Sequence, residues 1–448
     1  MKNVLLIMPD AHMHTVKFGP ISKSLREAPL TLTTLAAMVD DSRYEVKIVD
    51  ESVDSVPLDY PADLVGISVL TGTACRAYRF ADYYREKGIP VVLGGPHVTI
   101  LPGEAARHAD SIVVGMAEQT WPILLDDFAS GCMKSRYEDN DREKSVVLAN
   151  VPKPRIDLQR RSGYVMPDTV QATRGCMHRC DFCSVSAVWP KFYRRPVADV
   201  VRDIKALPGS RIAINDVSLV DDVQYAKELF TAMIPLKKTW GGLATVQVAK
   251  DEELLDLMHA SGCRYLLIGF ESFNQESLKK IRKGFNHIDQ YAEIMQLLHD
   301  RGISVQGTMV FGFDEDTTDV FGETVERVQE LKIDIPRYSI YTPYPGTPLY
   351  DRMMQEGRII SHNWEDYDTM HVVFEPASMS VDELYNGFKW AYEETFRLGR
   401  IARRIGPTIT FNSVINFMGN LTYKLFVHRL YNDKRYSVPH GYIDTRPL

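Results

Sequence analysis

In Arg174-Gly175-Cys176-Met177-His178-Arg179-Cys180-Asp181-Phe182-Cys183, three cysteines stand in the spacing C-x3-C-x2-C. One tight loop thus presents three thiolates, and the count is informative. Iron–sulfur clusters are ordinarily held by four cysteines, one per iron of a [4Fe–4S] cube. Three leave one iron without a protein ligand, and an open metal position can bind and polarise a substrate or cofactor. Structural zinc wants four closed ligands, usually as two separated pairs. No second pair follows downstream, and His178, lying between two of the cysteines, cannot easily reach the same ion. Simple packing of three thiols is the other alternative.

The spacing, with aromatic Phe182 before the last cysteine, resembles the signature of the radical S-adenosylmethionine (SAM) superfamily. The resemblance implies that Cys176, Cys180 and Cys183 are the metal ligands and catalytic core of a [4Fe–4S] cluster, with Phe182 beside the cofactor. It further implies that SAM chelates the open iron through its amino and carboxylate groups. An electron from the cluster then cleaves the sulfonium to a 5′-deoxyadenosyl radical, so a donor such as flavodoxin or ferredoxin is also implied.

At 448 residues, 45% hydrophobic and 25% charged, the chain has the composition of an ordinary globular protein with two or three domains. A net charge of −7 offers no basic excess to neutralise phosphates, which argues against a nucleic-acid partner. The chain opens on the apolar strand Val4–Met8 without a basic leader, so no secretory signal is expected. No window of about 18 apolar residues predicts a membrane span. Cys75, Cys132 and Cys263 are too scattered for a disulfide framework, and reduced thiols fit a cytoplasmic location.

Residues 1–130 alternate short β-rich runs (3–8, 45–49, 63–69, 90–94, 111–114) with helical patterns at about 29–39, 74–87 and 118–129. The pattern predicts a doubly wound parallel sheet, which binds ligands at the carboxyl ends of its strands. Ser68-Val69-Leu70-Thr71-Gly72-Thr73, Gly94-Gly95-Pro96-His97 and Gly115-Met116-Ala117-Glu118 fall at those ends. Paired glycines let a backbone approach a flat ligand closely. The Ser-x-Leu and Gly-Gly elements resemble the cobalamin-binding domain that precedes many radical SAM domains. That resemblance implies cobalamin contacts from Ser68, Thr71, Gly72, Thr73, Gly94, Gly95, His97, Gly115 and Glu118. The family's Asp-x-His-x-x-Gly loop is only half matched by Asp10-Ala11-His12-Met13-His14-Thr15, so cobalt is expected to lack a protein histidine. A Rossmann-like domain that kept its shape without the corrinoid is the alternative.

A polar stretch at 131–165 predicts a linker, and 166–345 a second domain. Its strand-like runs (169–173, 211–215, 243–248, 264–270, 304–311, 336–341) alternate with helices, giving six βα repeats against the eight of a closed barrel. They resemble the partial (βα)6 barrel of radical SAM enzymes, whose open side admits a large substrate. At strand ends Asn215-Asp216, Gln247 and Glu271 are the positions that the resemblance assigns to SAM. A carboxylate suits the ribose hydroxyls because it accepts two hydrogen bonds; a helix N-terminal charge is the other reading of Glu271.

Thr342-Pro343-Tyr344-Pro345-Gly346-Thr347-Pro348-Leu349-Tyr350 matches the end of the barrel in the branch related to the anaerobic magnesium-protoporphyrin IX monomethyl ester cyclase. Residues 346–448 are expected to form a mainly helical extension. There, Arg397, Arg400, Arg403 and Arg404 precede the apolar run 409–431, which can lie in a membrane interface or pack on the barrel. Either suits a small hydrophobic or lipid-like substrate. The implied reaction is hydrogen abstraction from an unactivated carbon followed by cobalamin-dependent methyl transfer. The alternatives are radical cyclisation or rearrangement, and a non-catalytic electron carrier, which would more often ligate all four irons with cysteine.

Overall fold

The computed structural model describes residues 1–10, 15–18, 21–139, 146–149, 151–405 and 411–448, so His12 lies outside the described residues. The chain divides into two compact units: 1–175 with 184–215 and 443–448, and 176–183 with 216–442.

The first unit begins with β1 (Lys2–Met8), the antiparallel pair β2 (Thr15–Phe18) and β3 (Ile21–Glu27), α1 (Thr31–Ala37) and β4 (Tyr44–Asp50). Then come β5 (Leu64–Ser68), α2 (Ala74–Glu86), β6 (Val91–Gly94), α3 (Pro96–Ile100), α4 (Pro102–Ala105), β7 (Ser111–Val114), α5 (Ala117–Ala129) and β8 (Arg136–Glu138). The main sheet is parallel with the order β4-β1-β5-β6-β7-β8. Val4–Met8 of β1 are buried throughout, as a central strand covered on both faces requires. Each such side chain contributes about 1.5–3 kcal/mol of burial. The order reverses between β1 and β5, and that switch point is where such sheets form a ligand crevice.

The remainder of the unit carries β9 (Tyr164–Met166), β10 (Thr169–Val170), β11 (Thr173–Arg174), α6 (Val185–Val188), β12 (Tyr193–Arg194), α7 (Val197–Ala206) and β13 (Arg211–Ile214). The stretch expected to be a linker contributes β8 to the main sheet, and β9 beside β3. β11 and β12 pair antiparallel, stapling the chain that enters the cysteine loop to the chain that leaves it. The last residues are also anchored here. Arg76 and Arg79 donate to the carbonyls of Arg446 and Asp444, and Arg446 donates to the Asp10 carbonyl at 3.1 Å.

The second unit contains α8 (Val223–Met233), β14 (Thr239–Ala244), α9 (Glu252–Ala260), β15 (Cys263–Glu271), α10 (Gln275–Lys280), α11 (Tyr291–Asp300), β16 (Ser304–Phe311), α12 (Val320–Glu330) and β17 (Ile335–Ile340). β14 to β17 lie side by side in parallel. The third strand sits four residues earlier than the 243–248 expected from sequence: Gly241 and Gly242 belong to it, and Val246–Lys250 form a 3-10 turn. The Tyr265 ring explains the glycine, since a Cβ at Gly241 would stand 3.1 Å from its Cδ1.

Helices α13 (Pro348–Gln355), α14 (Val381–Thr395), α15 (Leu398–Ile405) and α16 (Phe411–Asn432) complete the unit. On β17 the Tyr338 N–H donates to the Tyr392 hydroxyl (3.0 Å), which donates back to the Tyr338 carbonyl (2.8 Å). One side chain of α14 thereby satisfies the exposed edge of that strand. α16 packs across the amino ends of β16 and β17, where Asn416 donates to Ser304 and Asp334 and Asn420 to the Asp334 carbonyl. Three of the four tail arginines find partners in the chain: Arg397 and Arg400 pair with Glu394, Arg400 also with Glu326, and buried Arg404 donates to Asn420. No helix among the described residues is long and apolar enough to cross a membrane.

Candidate functional site

In the second unit, backbone geometry and a few side chains shape the cysteine loop. Gly175, which leads into it, has φ +83°, and a Cβ there would stand 2.1 Å from the Lys191 carbonyl oxygen. Glycine alone fits such a position. Past it, the Met177 N–H donates to Asp221 (2.8 Å) and the His178 N–H to the Cys176 sulfur (3.4 Å). The His178 ring stacks on Phe285 at 3.9 Å, so it packs as an aromatic. The Asp181 N–H donates to the Ile281 carbonyl, and the Asp181 carboxylate accepts from the Tyr341 hydroxyl at 3.1 Å. Phe182 meets Tyr341 edge to face at 5.8 Å.

Cys176, Cys180 and Cys183 form no disulfide and are partly exposed. Burial pushes Cys176 up to about 12, helped by Asp221, and burial pushes Cys180 up to about 12 against the pull of Lys283. As bare thiols they keep their protons, and iron binding displaces them. Among the described residues, no three His, Cys, Asp or Glu side chains converge on a single ion. Thiolates that each bind a different iron of a cube need no such convergence, so the donor set fits a [4Fe–4S] cluster.

Lys283 approaches Cys180 and Cys183 from the turn after α10. Arg282 takes φ +58° there, which swings Lys283 into the interior against Glu271. Burial opposes the Lys283 charge, but Glu271 and the two cysteines outweigh it and hold its pKa above the ordinary value. Glu271 ends β15 at φ +65° beside a bulge, and also accepts from the Thr308 hydroxyl at 3.3 Å. Gly269 leaves room for the pair, since a Cβ there would lie 2.2 Å from the Glu271 Oε1. Gln247, in the 3-10 turn after β14, donates to the Phe285 carbonyl at 3.1 Å, and Asp216 is buried. The loop, Glu271 and Gln247 are thus tied to one another through Lys283 and Phe285.

The first unit holds a cavity of about 340 Å³ at the carboxyl ends of its strands. Ser68, Gly94, Gly95, Gly115, Glu118 and Asn215 line it. Thr99 ties two glycine turns together, donating to the Gly95 carbonyl and accepting from the Gly115 N–H, both at 3.0 Å. Thr71, Gly72, Thr73 and His97 stand apart from the cavity wall. Fully buried His97 is held between Thr71 (3.3 Å) and Glu104 (3.2 Å), and Thr73 closes the turn onto Leu70.

Sequence reasoning missed several wall residues, including Leu6, Gly66, Thr99, Trp121 and Arg174. The Trp121 indole N–H is buried there with no acceptor among the described residues. An apolar cavity with a waiting donor and glycine-edged turns fits a flat ligand carrying polar groups, as a corrinoid does. Arg174 pairs with Glu118 two residues before the first cysteine and donates to Gln171 at 2.7 Å. Burial works against the Glu118 charge, yet Arg174 holds the carboxyl below its usual range.

Known families match both regions of the chain. The radical SAM superfamily model matches residues 170–328, the B12 binding domain model 24–125, and a domain of unknown function 347–411. Bacteriochlorophyllide d C-12(1)-methyltransferase of Chlorobaculum tepidum is 30% identical over 94% of this chain and 93% of its own length. The anaerobic magnesium-protoporphyrin IX monomethyl ester cyclase of Rubrivivax gelatinosus is 24% identical over 75% of this chain and 66% of its own. Among solved structures, the radical SAM methyltransferase TsrM of Kitasatospora setae, with cobalamin and a [4Fe–4S] cluster bound, superposes with a TM-score of 0.68. It shares 16% identity over 96% of this chain and 100% of its own. The cobalamin-dependent SAM radical enzyme OxsB gives a TM-score of 0.66 at 15% identity, over 97% and 74%. The thiol loop, the switch-point cavity and these relatives together show that the chain belongs to the cobalamin-dependent radical SAM enzymes, in the branch that includes methyltransferases and the anaerobic ester cyclase.

Proposed function

We propose that this enzyme moves a methyl group from SAM to an unactivated carbon of a small hydrophobic molecule. The observation that carries the reading is one chain with a three-thiol loop in one unit and a glycine-edged cavity at the switch point of the other. The most similar relative reported above is named for methyl transfer to a bacteriochlorophyllide, which supports a flat hydrophobic substrate here.

Cys176, Cys180 and Cys183 would hold three irons, with Phe182 closing the loop against Tyr341. When bound, the cluster and SAM supply an adenosyl radical, and cobalamin supplies a methyl carrier. Glu271, fixed by Lys283 and Thr308, would accept from the ribose hydroxyls, and Gln247 and Asp216 would complete the SAM site. Ser68, Gly94, Gly95, Gly115 and Glu118 would line the corrinoid site. Thr71, Gly72, Thr73 and His97 would hold its turns in shape. Asn215, on the cavity wall, would stand between that site and the SAM contacts beginning at Asp216 in sequence. Residues 1–130 would then carry cobalamin, and 166–345 the cluster and SAM. The work would be done in the reducing cytoplasm with a small electron-transfer protein as donor. The exposed Val414, Ile415, Met418 and Leu425 of α16 suit contact with a lipid surface from which such a substrate is drawn.

Two co-products test the reading. Methyl donation turns one SAM into S-adenosylhomocysteine, while hydrogen abstraction turns another into 5′-deoxyadenosine and methionine. The full chain, loaded anaerobically and reduced, should form S-adenosylhomocysteine only when cobalamin is present. Deoxyadenosine with no cobalamin-dependent S-adenosylhomocysteine would favour cyclisation or rearrangement instead.

A further inference from the structure

The inner face of β14 to β17 carries a charge that the cofactor assignments leave unused. Along β17, buried Tyr338 points to the helices, where its hydroxyl meets Thr395 at 2.7 Å. Strand alternation therefore turns Arg337 to the opposite, inner face. The inner face of the neighbouring strands is fixed in the same way. Buried Leu266, Ile268 and Phe270 pack outward, leaving Tyr265, Leu267 and Gly269 inward, and Gln306 joins the Tyr265 and Tyr423 hydroxyls. Arg337 is in register with Thr308, and Thr308 with Gly269, so its guanidinium shares a layer with the hydroxyl that supports Glu271.

Arg337 is partly buried, and among the described residues it has no hydrogen bond and no carboxylate partner. The groups that act most on its charge are the phenols Tyr423, Tyr392, Tyr265 and Tyr344. The Arg337 nitrogens keep contact with solvent, so the charge is open to an incoming ligand, and a molecule that covers it must pair with it to offset the lost hydration. The other buried cations of this unit have such partners or acceptors: Lys283 has Glu271, and Arg404 has Asn420 and two further oxygens. A planar five-donor fork on the inner face of the sheet, with no carboxylate partner among the described residues, is suited to receive an oxyanion.

We propose that Arg337 binds a carboxylate or phosphate carried by the substrate, so that the molecule methylated here is an amphiphile with an apolar body and one anionic end. The assignment rests on the reading of this unit as the substrate-binding barrel. Gln306, Tyr265 and Tyr423 then close the amino end of the chamber below that anion. The apolar body extends toward Leu267 and the cluster loop at the carboxyl end.

Phenylglyoxal, which reacts with accessible guanidinium groups, tests this on the wild-type full chain with cluster and cobalamin loaded and no reductant added. Binding is thereby read apart from SAM cleavage, which the deoxyadenosine assay reports separately. Peptide mass spectrometry should find Arg337 modified, and 2-naphthoate or 1-naphthyl phosphate should slow that modification about fivefold or more while 2-naphthamide does not. Whichever anion protects better decides between carboxylate and phosphate. Ion-paired Arg352 and Arg358 should be indifferent to all three probes. Binding of the protecting anion, followed by its own fluorescence, should be lost in Arg337→Gln and partly kept in Arg337→Lys. An unreactive Arg337, no protection by either anion, or equal protection by the neutral amide would overturn the proposal.

Discussion

Lys283 and Glu271, on opposite sides of the turn that carries α10, form a buried ion pair beside Cys180 and Cys183. Arg282 and Glu271 both adopt left-handed backbone conformations to make it, and Gly269 vacates the space. Backbone strain concentrated in this way is characteristic of functional sites. Removing one partner strands the other charge, so Lys283→Met and Glu271→Gln should each destabilise the protein by about 3–5 kcal/mol. The double variant should recover part of that loss in a denaturant-unfolding cycle. Glu271→Ala should also weaken SAM binding while iron content stays near wild type, as equilibrium dialysis with labelled SAM would show.

Gly175→Ala should reduce iron uptake although every cysteine remains. A side chain at φ +83° costs about 1–2 kcal/mol, and its contact with the Lys191 carbonyl forces the β11–β12 staple to shift. Iron and sulfide analysis after reconstitution reads the effect, with circular dichroism confirming the fold.

In the first unit, Gly94→Val should abolish corrinoid retention, because the residue lines the cavity while its Cβ meets only ordinary contacts at Val113. Thr99→Val should instead loosen the site without filling it. Its loss of two hydrogen bonds, to Gly95 and Gly115, should cost about 1–3 kcal/mol. Gel filtration after anaerobic loading separates the two outcomes: no corrinoid for the first, weakened retention for the second.

Much of this was legible beforehand. Val4–Met8 and the glycine turns after β5, β6 and β7 reveal a doubly wound sheet because buried parallel strands are continuous apolar runs. The loop of Cys176, Cys180 and Cys183 is legible because its three thiols stand close together in sequence. Lys283 was not, since its role depends on a left-handed turn at Arg282 that periodicity does not encode. His97 looked like a ligand-facing residue, yet the fold buries it between Thr71 and Glu104. Arg446 near the chain end gives no sequence signal of its contact with Asp10, more than 400 positions away.

That terminal contact predicts that deleting residues 443–448 lowers stability by about 1–3 kcal/mol, since Arg76, Arg79 and Asp10 lose partners. Thermal unfolding of the truncated chain should show an earlier transition, and corrinoid loading should raise it less than in the intact protein.

Stability should also fall on the alkaline side of neutrality through His371. Burial disfavours its charge, but Asp368 at 3.1 Å and the Arg435 carbonyl at 2.9 Å face both ring nitrogens and raise its pKa above the ordinary 6.5. A raised folded value means a contribution complete below about pH 6.5 and lost as pH climbs from there through the higher folded value. Asp368 is depressed below its ordinary 3.8, so its share is complete above that and lost only in stronger acid. Melting temperature should therefore drop as pH rises above about 6.5 more steeply in the wild type than in His371→Phe, on the order of a few degrees.

The central claim is that Cys176, Cys180 and Cys183 hold a cluster that cleaves SAM. The most direct test is 5′-deoxyadenosine released by the full chain after anaerobic loading with iron, sulfide and cobalamin and reduction with dithionite. The wild type should produce it steadily, and each single Cys→Ala variant in the loop should fall to the level of the triple variant. Cys75→Ala, Cys132→Ala and Cys263→Ala should match the wild type. Release from the wild type no greater than from the triple variant, or full release from Cys180→Ala, would contradict the account.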